Sequence, residues 1–184
     1  MMNWQQFSRT KIAIGVLALG LLIAVPSVAA DTITLSVTGE GRSASVSGAS
    51  LGGVGYSHDD QTTDGTISLV IDDSTASLDG WNVTMQAGDF VAGERSIPAS
   101  NLVITNAQAP VHVEGASIDE AGGPIVPQGG GTGSLNSARK VLQANADYGT
   151  GTYQQDLDVQ LTVPGQTPAG EYVSTLTVDI TAGP

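Results

Sequence analysis

The sequence predicts an all-β protein, a single antiparallel β-sandwich that is immunoglobulin-like in outline and follows an N-terminal signal helix. Several stretches alternate apolar and polar residues with a period of two, which is typical of strands with one face in a core and one in water. The stretches between them are rich in Gly, Ser, Asp and Pro, the residues of turns. Regularly spaced short strands with polar turns favour a sandwich.

Residues 1–30 have the pattern of a secretory signal peptide. Two cations, Arg9 and Lys11, precede an uncharged apolar run that is too short to span a membrane comfortably, and small residues stand at the cleavage position. We therefore expect a secreted protein with one mature domain, residues 31–184, and no membrane attachment after cleavage. An uncleaved N-terminal anchor is the alternative.

The mature domain is strongly acidic. It keeps four cations and all 18 acids, a formal charge of −14, because two of the six cations precede residue 31 and no acid does. Such a charge repels nucleic acids and anionic lipids, so neither is an expected partner. The chain contains no cysteine, so its core must fold without disulfides. We expect no cofactor.

The first two predicted strands cover residues 32–38 and 66–71. In the first, Ile33, Leu35 and Val37 alternate with threonine and serine. In the second, every other residue from Ile67 is apolar. Both patterns predict a strand with one face in the core.

The third predicted strand covers residues 81–86, where Trp81, Val83 and Met85 share a face. This alternation favours a buried Trp81, and an exposed ring that stacks on a sugar is the alternative. Three tyrosines stand among glycines and are expected on exposed loops: Tyr56, Tyr148 and Tyr153.

Two segments precede the closing strands. Residues 120–134 are rich in glycine and contain two prolines, so we expect a mobile surface loop or a lengthened hairpin tip. Residues 137–146 have the propensity for either a strand or a short helix.

The closing strands are predicted over residues 156–163 and 171–180. In the second of them, Tyr172, Leu176, Val178 and Ile180 share one face. The proline-rich residues 164–170 between the strands indicate either a loop-closed hairpin or a crossing between sheets.

Few residues are candidates for chemistry. Ser57, His58 and Asp59 are consecutive, so their side chains point in alternate directions and do not form a catalytic triad. The other histidine, His112, lies between two valines and is expected to face solvent. We expect no enzymatic activity, because neither histidine stands in a nucleophile or metal motif.

An acidic cluster near residue 60 is a weak calcium candidate. Its members are Asp59, Asp60 and Asp64. Carboxylate oxygens on a loop are ligands that Ca²⁺ prefers, but this spacing is not that of a calcium loop. Solvated loop acids are the simpler interpretation.

Two patches of the chain form a paired motif. The first comprises Asp72-Asp73, Gly80-Trp81-Asn82-Val83 and Phe90. The second comprises Leu161-Thr162-Val163-Pro164, Ala169-Gly170-Glu171-Tyr172 and the strand that ends at Ile180. Together, in this order, they resemble the WxL domain of Gram-positive surface proteins. Val83 and Ile180 stand where that family has leucine, and Val178 stands where it has a second tryptophan.

The resemblance implies non-covalent attachment to the bacterial cell wall, with peptidoglycan as partner and other surface proteins as further partners. It also implies the residues of a wall-binding motif, which are Trp81, Val83, Tyr172, Leu176, Val178 and Ile180. The alternative function is an extracellular structural or matrix subunit with no wall ligand, which assembles with itself or with partners through sheet edges.

Overall fold

The computed structural model describes residues 35–183. Residues 35 and 36 belong to an N-terminal unit, and the β-structured unit begins at Val37. The predicted signal peptide, residues 1–30, lies outside the described residues. None of the helical structure within 35–183 has the length and apolar character that crossing a bilayer requires.

The described part of the chain contains eleven strands and one turn of 3-10 helix, Ala99–Asn101. The strands are β1 (Arg42–Leu51), β2 (Gln61–Asp73), β3 (Trp81–Ala87), β4 (Phe90–Ala92), β5 (Arg95–Ile97), β6 (Leu102–Ala107), β7 (Val111–Gly115), β8 (Gly133–Ser134), β9 (Arg139–Ala144), β10 (Gly151–Val163) and β11 (Leu176–Ala182). The predicted all-β class is confirmed.

The strands form two main sheets, and every pairing is antiparallel. The first sheet has the order β1-β2-β10-β6-β8, and β7 also pairs with β10. The second has the order β11-β3-β9, while β4 and β5 form a small hairpin. The centre of the first sheet is the long pair β2 and β10, which runs from Gln61 opposite Val163 to Asp73 opposite Gly151.

The apolar faces of the two sheets meet in one core, as in a sandwich. Its fully buried side chains come from both sheets and include Leu69, Ile71, Trp81, Val83, Met85, Leu142, Tyr153 and Leu157. The predicted inward faces of β2 and β3 are therefore confirmed. The buried polar side chain of Gln155 donates through Nε2 to the carbonyls of Gln108 (3.0 Å) and Val141 (3.2 Å), which ties β10 to β9 of the other sheet.

The beginning of the domain differs from the prediction. The described part of the predicted strand at 32–38 forms no strand, and Leu35 and Val37 are 84% and 79% exposed. The first strand is instead β1, where only small residues alternate. Ala44 and Val46 are half-buried against the core between exposed serines.

In the closing part of the chain, the structure decides two open assignments and corrects one prediction. Residues 139–144 are strand β9, so the helical alternative was wrong. The proline-rich residues 164–170 cross between sheets, because β10 lies in the first sheet and β11 in the second. The last strand begins at Leu176 and not at residue 171.

The glycine-rich residues 120–134 are not a projecting tip. Gly122, Gly123 and Pro124 are buried, and a Cβ at Gly122 would collide with the Tyr148 ring. Further on, Ile125 and Gln143 exchange two backbone hydrogen bonds of 2.8 and 3.0 Å. This segment therefore covers the outer edge of β9.

An ion pair joins the first two strands. Arg42 Nη2 lies 3.0 Å from Asp73 Oδ2, and the two side chains are only 10% and 3% exposed. The backbone N–H and the hydroxyl of Thr75 both donate to the other carboxylate oxygen, at 3.1 and 2.6 Å. Burial alone would raise the pKa of Asp73, but the hydrogen bonds from Thr75 and Arg42 outweigh it and hold the pKa below its ordinary value.

Candidate functional site

The two patches of the paired motif lie side by side. Strands β3 and β11 are antiparallel neighbours in the second sheet. Val83 is the cross-strand partner of Ile180, and Met85 is the partner of Val178. Residues about a hundred positions apart in the sequence thus form one continuous surface, and that surface faces the core.

Trp81 is enclosed by the core. Its exposed fraction is 0%, and its indole Nε1 donates to the carbonyl of Gly149 at 2.9 Å. The ring centroid lies 6.3 Å from that of Tyr153. A side chain at Gly149 would approach the indole nitrogen to 2.7 Å, so glycine is required there. In this packing the ring has no free face for a sugar, and Trp81 occupies the core position that the alternation favours.

Val178 is on the same inward face but nearer to the surface. Strand β11 is an outer strand of its sheet, and Leu176, Val178 and Ile180 are half-buried against the core. The position of the family's second tryptophan is therefore a packing position at the rim of the sandwich.

We expect Val178→Trp to lower the free energy of unfolding by about 1 kcal/mol, because the indole overpacks the space opposite the buried Met85. The rim position keeps this cost at the low end, since part of the ring can turn outward. Thermal melting measures the effect, and sedimentation with isolated cell walls measures binding in parallel. An unshifted melting temperature together with a larger wall-bound fraction would show that this position contacts the wall.

The other half of the second patch lines an open groove at one end of the sandwich. The groove has a volume of about 440 Å³, within the range of small-ligand sites. One wall is formed by residues 51–57 and Asp59, and the other by Val163, Pro164, residues 167–170 and Tyr172. Phe90 and Ile97 contribute to the apolar surface. The stretches that carry the Leu-x-Val-Pro and Ala-Gly-x-Tyr pattern thus border a surface that a ligand can reach.

Backbone contacts hold the two walls together. Gln166 N–H donates to the Ser57 carbonyl at 2.7 Å, and Gly165 N–H donates to Asp60 Oδ1 at 2.8 Å. The walls approach so closely that a Cβ at Gly165 would collide with the carbonyl of His58. The two walls of the groove are therefore fixed relative to each other by the fold.

The groove is lined by apolar residues, with two tyrosines and a few uncharged polar side chains among them. The side chain of Tyr56 is 64% exposed, and its ring lies edge-on to His58 with centroids 5.4 Å apart. On the opposite wall Tyr172 is half-buried and donates its hydroxyl to the Pro168 carbonyl at 2.9 Å. Asp59 is the one charged residue along the groove among the described residues. Such a lining suits a nearly neutral, hydroxyl-rich ligand.

The acidic cluster has other roles. Asp60 accepts from Gly165 as above, and Asp64 Oδ1 accepts from Gln160 Nε2 at 2.8 Å. Within residues 35–183 no three acidic or histidine side chains are grouped so that they could hold a metal ion. Ser57 and Asp59, on either side of His58, form a turn in which the Asp59 N–H donates to the Ser57 hydroxyl at 3.0 Å.

The three tyrosines that were expected on exposed loops differ in their exposure. Tyr56 is exposed on the groove wall, and Tyr148 is 39% exposed and lies against Gly122. The prediction for Tyr153 was wrong, because its ring is fully buried and its hydroxyl donates to the Ala116 carbonyl at 2.7 Å. The alternation that places it inside continues with Gln155 and Leu157, so it was readable in the sequence.

The match to a known family covers the whole predicted mature domain, residues 31–184. A family model described as "WxL domain surface cell wall-binding" matches residues 28–184. No curated protein and no solved structure matches the chain.

Proposed function

This chain belongs to the WxL family of surface cell-wall-binding domains, and from that premise we propose that it is secreted and attaches non-covalently to peptidoglycan. Cell-wall association is the property of the family. The ligand, the mode of attachment and the contact surface are the subject of the proposal.

The observation that carries the proposal is the division of the motif between core and groove. Trp81, Val83 and the inward residues of β11 pack against the core, so in this fold they shape the second sheet. The rest of the second patch, from Leu161 to Tyr172, borders the groove. We assign the wall contact to the groove, with the buried motif residues as its scaffold.

The chemistry of the groove fits a glycan chain better than a polyanion. The exposed ring of Tyr56 offers a flat apolar face, and uncharged polar side chains such as Gln61 and Thr63 stand nearby. Teichoic acids are polyanions and would meet the field of a strongly acidic domain. The neutral sugars of peptidoglycan avoid that repulsion.

The test is sedimentation of the mature chain with isolated peptidoglycan from which teichoic acids have been removed. We expect Tyr56→Ala to cost about 2 kcal/mol of binding, roughly 30-fold in affinity, as loss of a central aromatic contact does. Its melting temperature should stay unchanged, because the side chain is mostly in solvent. The matched control is Tyr148→Ala, which removes the same side chain outside the groove lining.

Two results would contradict the proposal. One is a wild-type chain that sediments no more than an acidic control protein of similar size. The other is equal binding by wild type and Tyr56→Ala, which would move the contact away from the groove.

A further inference from the structure

The floor of the groove combines apolar side chains with one hydroxyl. The most buried apolar side chains of the lining are those of Phe90, Ile97 and Leu161. Thr63 is the cross-strand partner of Leu161, so the two side chains share a face, and Thr63 is 9% exposed. A ligand that enters past the exposed Tyr56 therefore meets an apolar surface with a hydroxyl in it.

The Thr63 hydroxyl is free to bind a ligand. Within residues 35–183 it makes no hydrogen bond, whereas the carboxylate of the next residue, Asp64, accepts from Gln160 Nε2 at 2.8 Å. A hydroxyl that is buried to this extent without a partner has lost hydrogen bonds to water and has not replaced them. A ligand group that donates to it or accepts from it restores what burial removed.

A glycine keeps this hydroxyl open to the groove. Gly52 belongs to the wall formed by residues 51–57, and its N–H donates to the Asp64 carbonyl at 3.2 Å. A Cβ at Gly52 would lie 2.6 Å from Thr63 Oγ1. Gly52 is not among the glycines with positive φ, so its backbone conformation does not require glycine. What the glycine provides is space in front of the Thr63 hydroxyl.

An acetamido group has the chemistry that this floor requires. Its methyl group covers apolar surface, and its amide N–H and C=O lie directly beside the methyl group, where either can bind the Thr63 hydroxyl. The group is neutral, so the acidic domain and Asp59 do not repel it. A carboxylate would bring a charge onto an apolar surface, and a plain sugar hydroxyl would cover no apolar surface.

We propose that the groove recognises N-acetylated amino sugars, with the sugar ring against Tyr56 and the acetamido group on the floor beside Thr63. This inference rests on the proposed attachment to peptidoglycan and names the substituent that the groove selects. Both sugars of a peptidoglycan strand carry an acetamido group, so the groove distinguishes such a strand from a glycan that has only hydroxyl groups.

The experiment compares two soluble tetrasaccharides, one of N-acetylglucosamine and one of glucose, in NMR titrations of the mature chain. Both are neutral and have the same linkage, so they differ in the acetamido group, and the charge of the domain does not distinguish them. We expect the N-acetylated tetramer to bind about tenfold more tightly, because one methyl group is buried and one hydrogen bond is formed.

Two variants test the role of the hydroxyl. Thr63→Val keeps the shape of the side chain and should weaken binding of the N-acetylated tetramer about fivefold, with no effect on the glucose tetramer. Gly52→Ala keeps the hydroxyl but places a methyl group in front of it, and should also weaken binding of the N-acetylated tetramer. The matched control is Thr62→Val, the same change at an exposed residue of β2 outside the groove lining, which should bind like wild type.

Sedimentation with peptidoglycan reports the proposed function separately, and thermal melting shows that each variant is folded. A chain that sediments with peptidoglycan but binds the two tetramers equally, or binds neither, would overturn this inference and leave the proposed function standing. Folded Thr63→Val and Gly52→Ala proteins that bind the N-acetylated tetramer like wild type would also overturn it. A chain that binds neither peptidoglycan nor the tetramers would contradict both.

Discussion

Replacing Trp81 with alanine is expected to lower the free energy of unfolding by about 3–5 kcal/mol. The ring is fully enclosed, so its removal loses burial and leaves a cavity. The Gly149 carbonyl also loses its donor. Because a domain of this kind has only about 5–15 kcal/mol of stability, a large fraction is lost. Urea unfolding and thermal melting measure the change.

The control for this variant is Trp81→Phe, which keeps an aromatic ring but removes the hydrogen bond. We expect an intermediate loss. If Trp81→Ala melts within a few degrees of wild type and fails to sediment with peptidoglycan, the ring contacts the wall and its assignment to the core is wrong.

The second large effect is expected from Asp73→Ala. Removing one partner of a buried ion pair leaves the other charge uncompensated, which costs about 3–5 kcal/mol. Arg42 is 10% exposed and its Nε has no partner. Its other contact in the described residues is a long hydrogen bond of 3.5 Å to the Ser77 hydroxyl, which does not neutralise its charge. Urea unfolding at neutral pH measures the loss. The matched control is the double variant Arg42→Met with Asp73→Leu, which should recover part of the stability, because no charge remains buried although the two Thr75 donors lose their acceptor. A double variant as unstable as Asp73→Ala would contradict this account.

The same carboxylate gives a pH dependence with a defined sign. The pKa of Asp73 in the folded protein lies below the ordinary 3.8. Its contribution is therefore fully present above the ordinary value and is lost as the pH falls through the lower folded value. We expect the stability of wild type to fall more steeply below pH 3.8 than that of the double variant. Urea midpoints across acidic pH test this, and parallel curves would contradict it.

The sequence predicts the parts of the fold that bury large side chains. Strands β2, β3 and β10 alternate bulky apolar residues with polar ones, so their inward faces were readable. Strand β1 was missed because its inward residues are small. Hydropathy instead favoured residues 32–38, which contain Leu35 and Val37 yet lie outside any strand in their described part. Pairing with β2 decides which segment joins the sheet, and local hydropathy does not report pairing.

The groove could not be predicted, because distant segments build it. Tyr56, Phe90 and Tyr172 each have an ordinary local pattern, and only the crossing from β10 to β11 brings them together. The motif resemblance singled out Phe90 and Tyr172, but it did not show that they line the same groove. Glycines around Tyr56 indicated an exposed aromatic ring, which is the one local signal for this site.

The central pair of the first sheet, β2 with β10, determines when the first sheet can form during synthesis. Strand β2 meets β10 along its whole length, up to Gln61 opposite Val163. The ribosome synthesises β2 long before β10, so β2 has no partner on this side until β10 has been made. Sheets assembled from such distant segments fold in milliseconds to seconds. The proposed secretion requires a chain that is still unfolded at export, and a sheet whose central pair cannot form before β10 is synthesised meets that requirement.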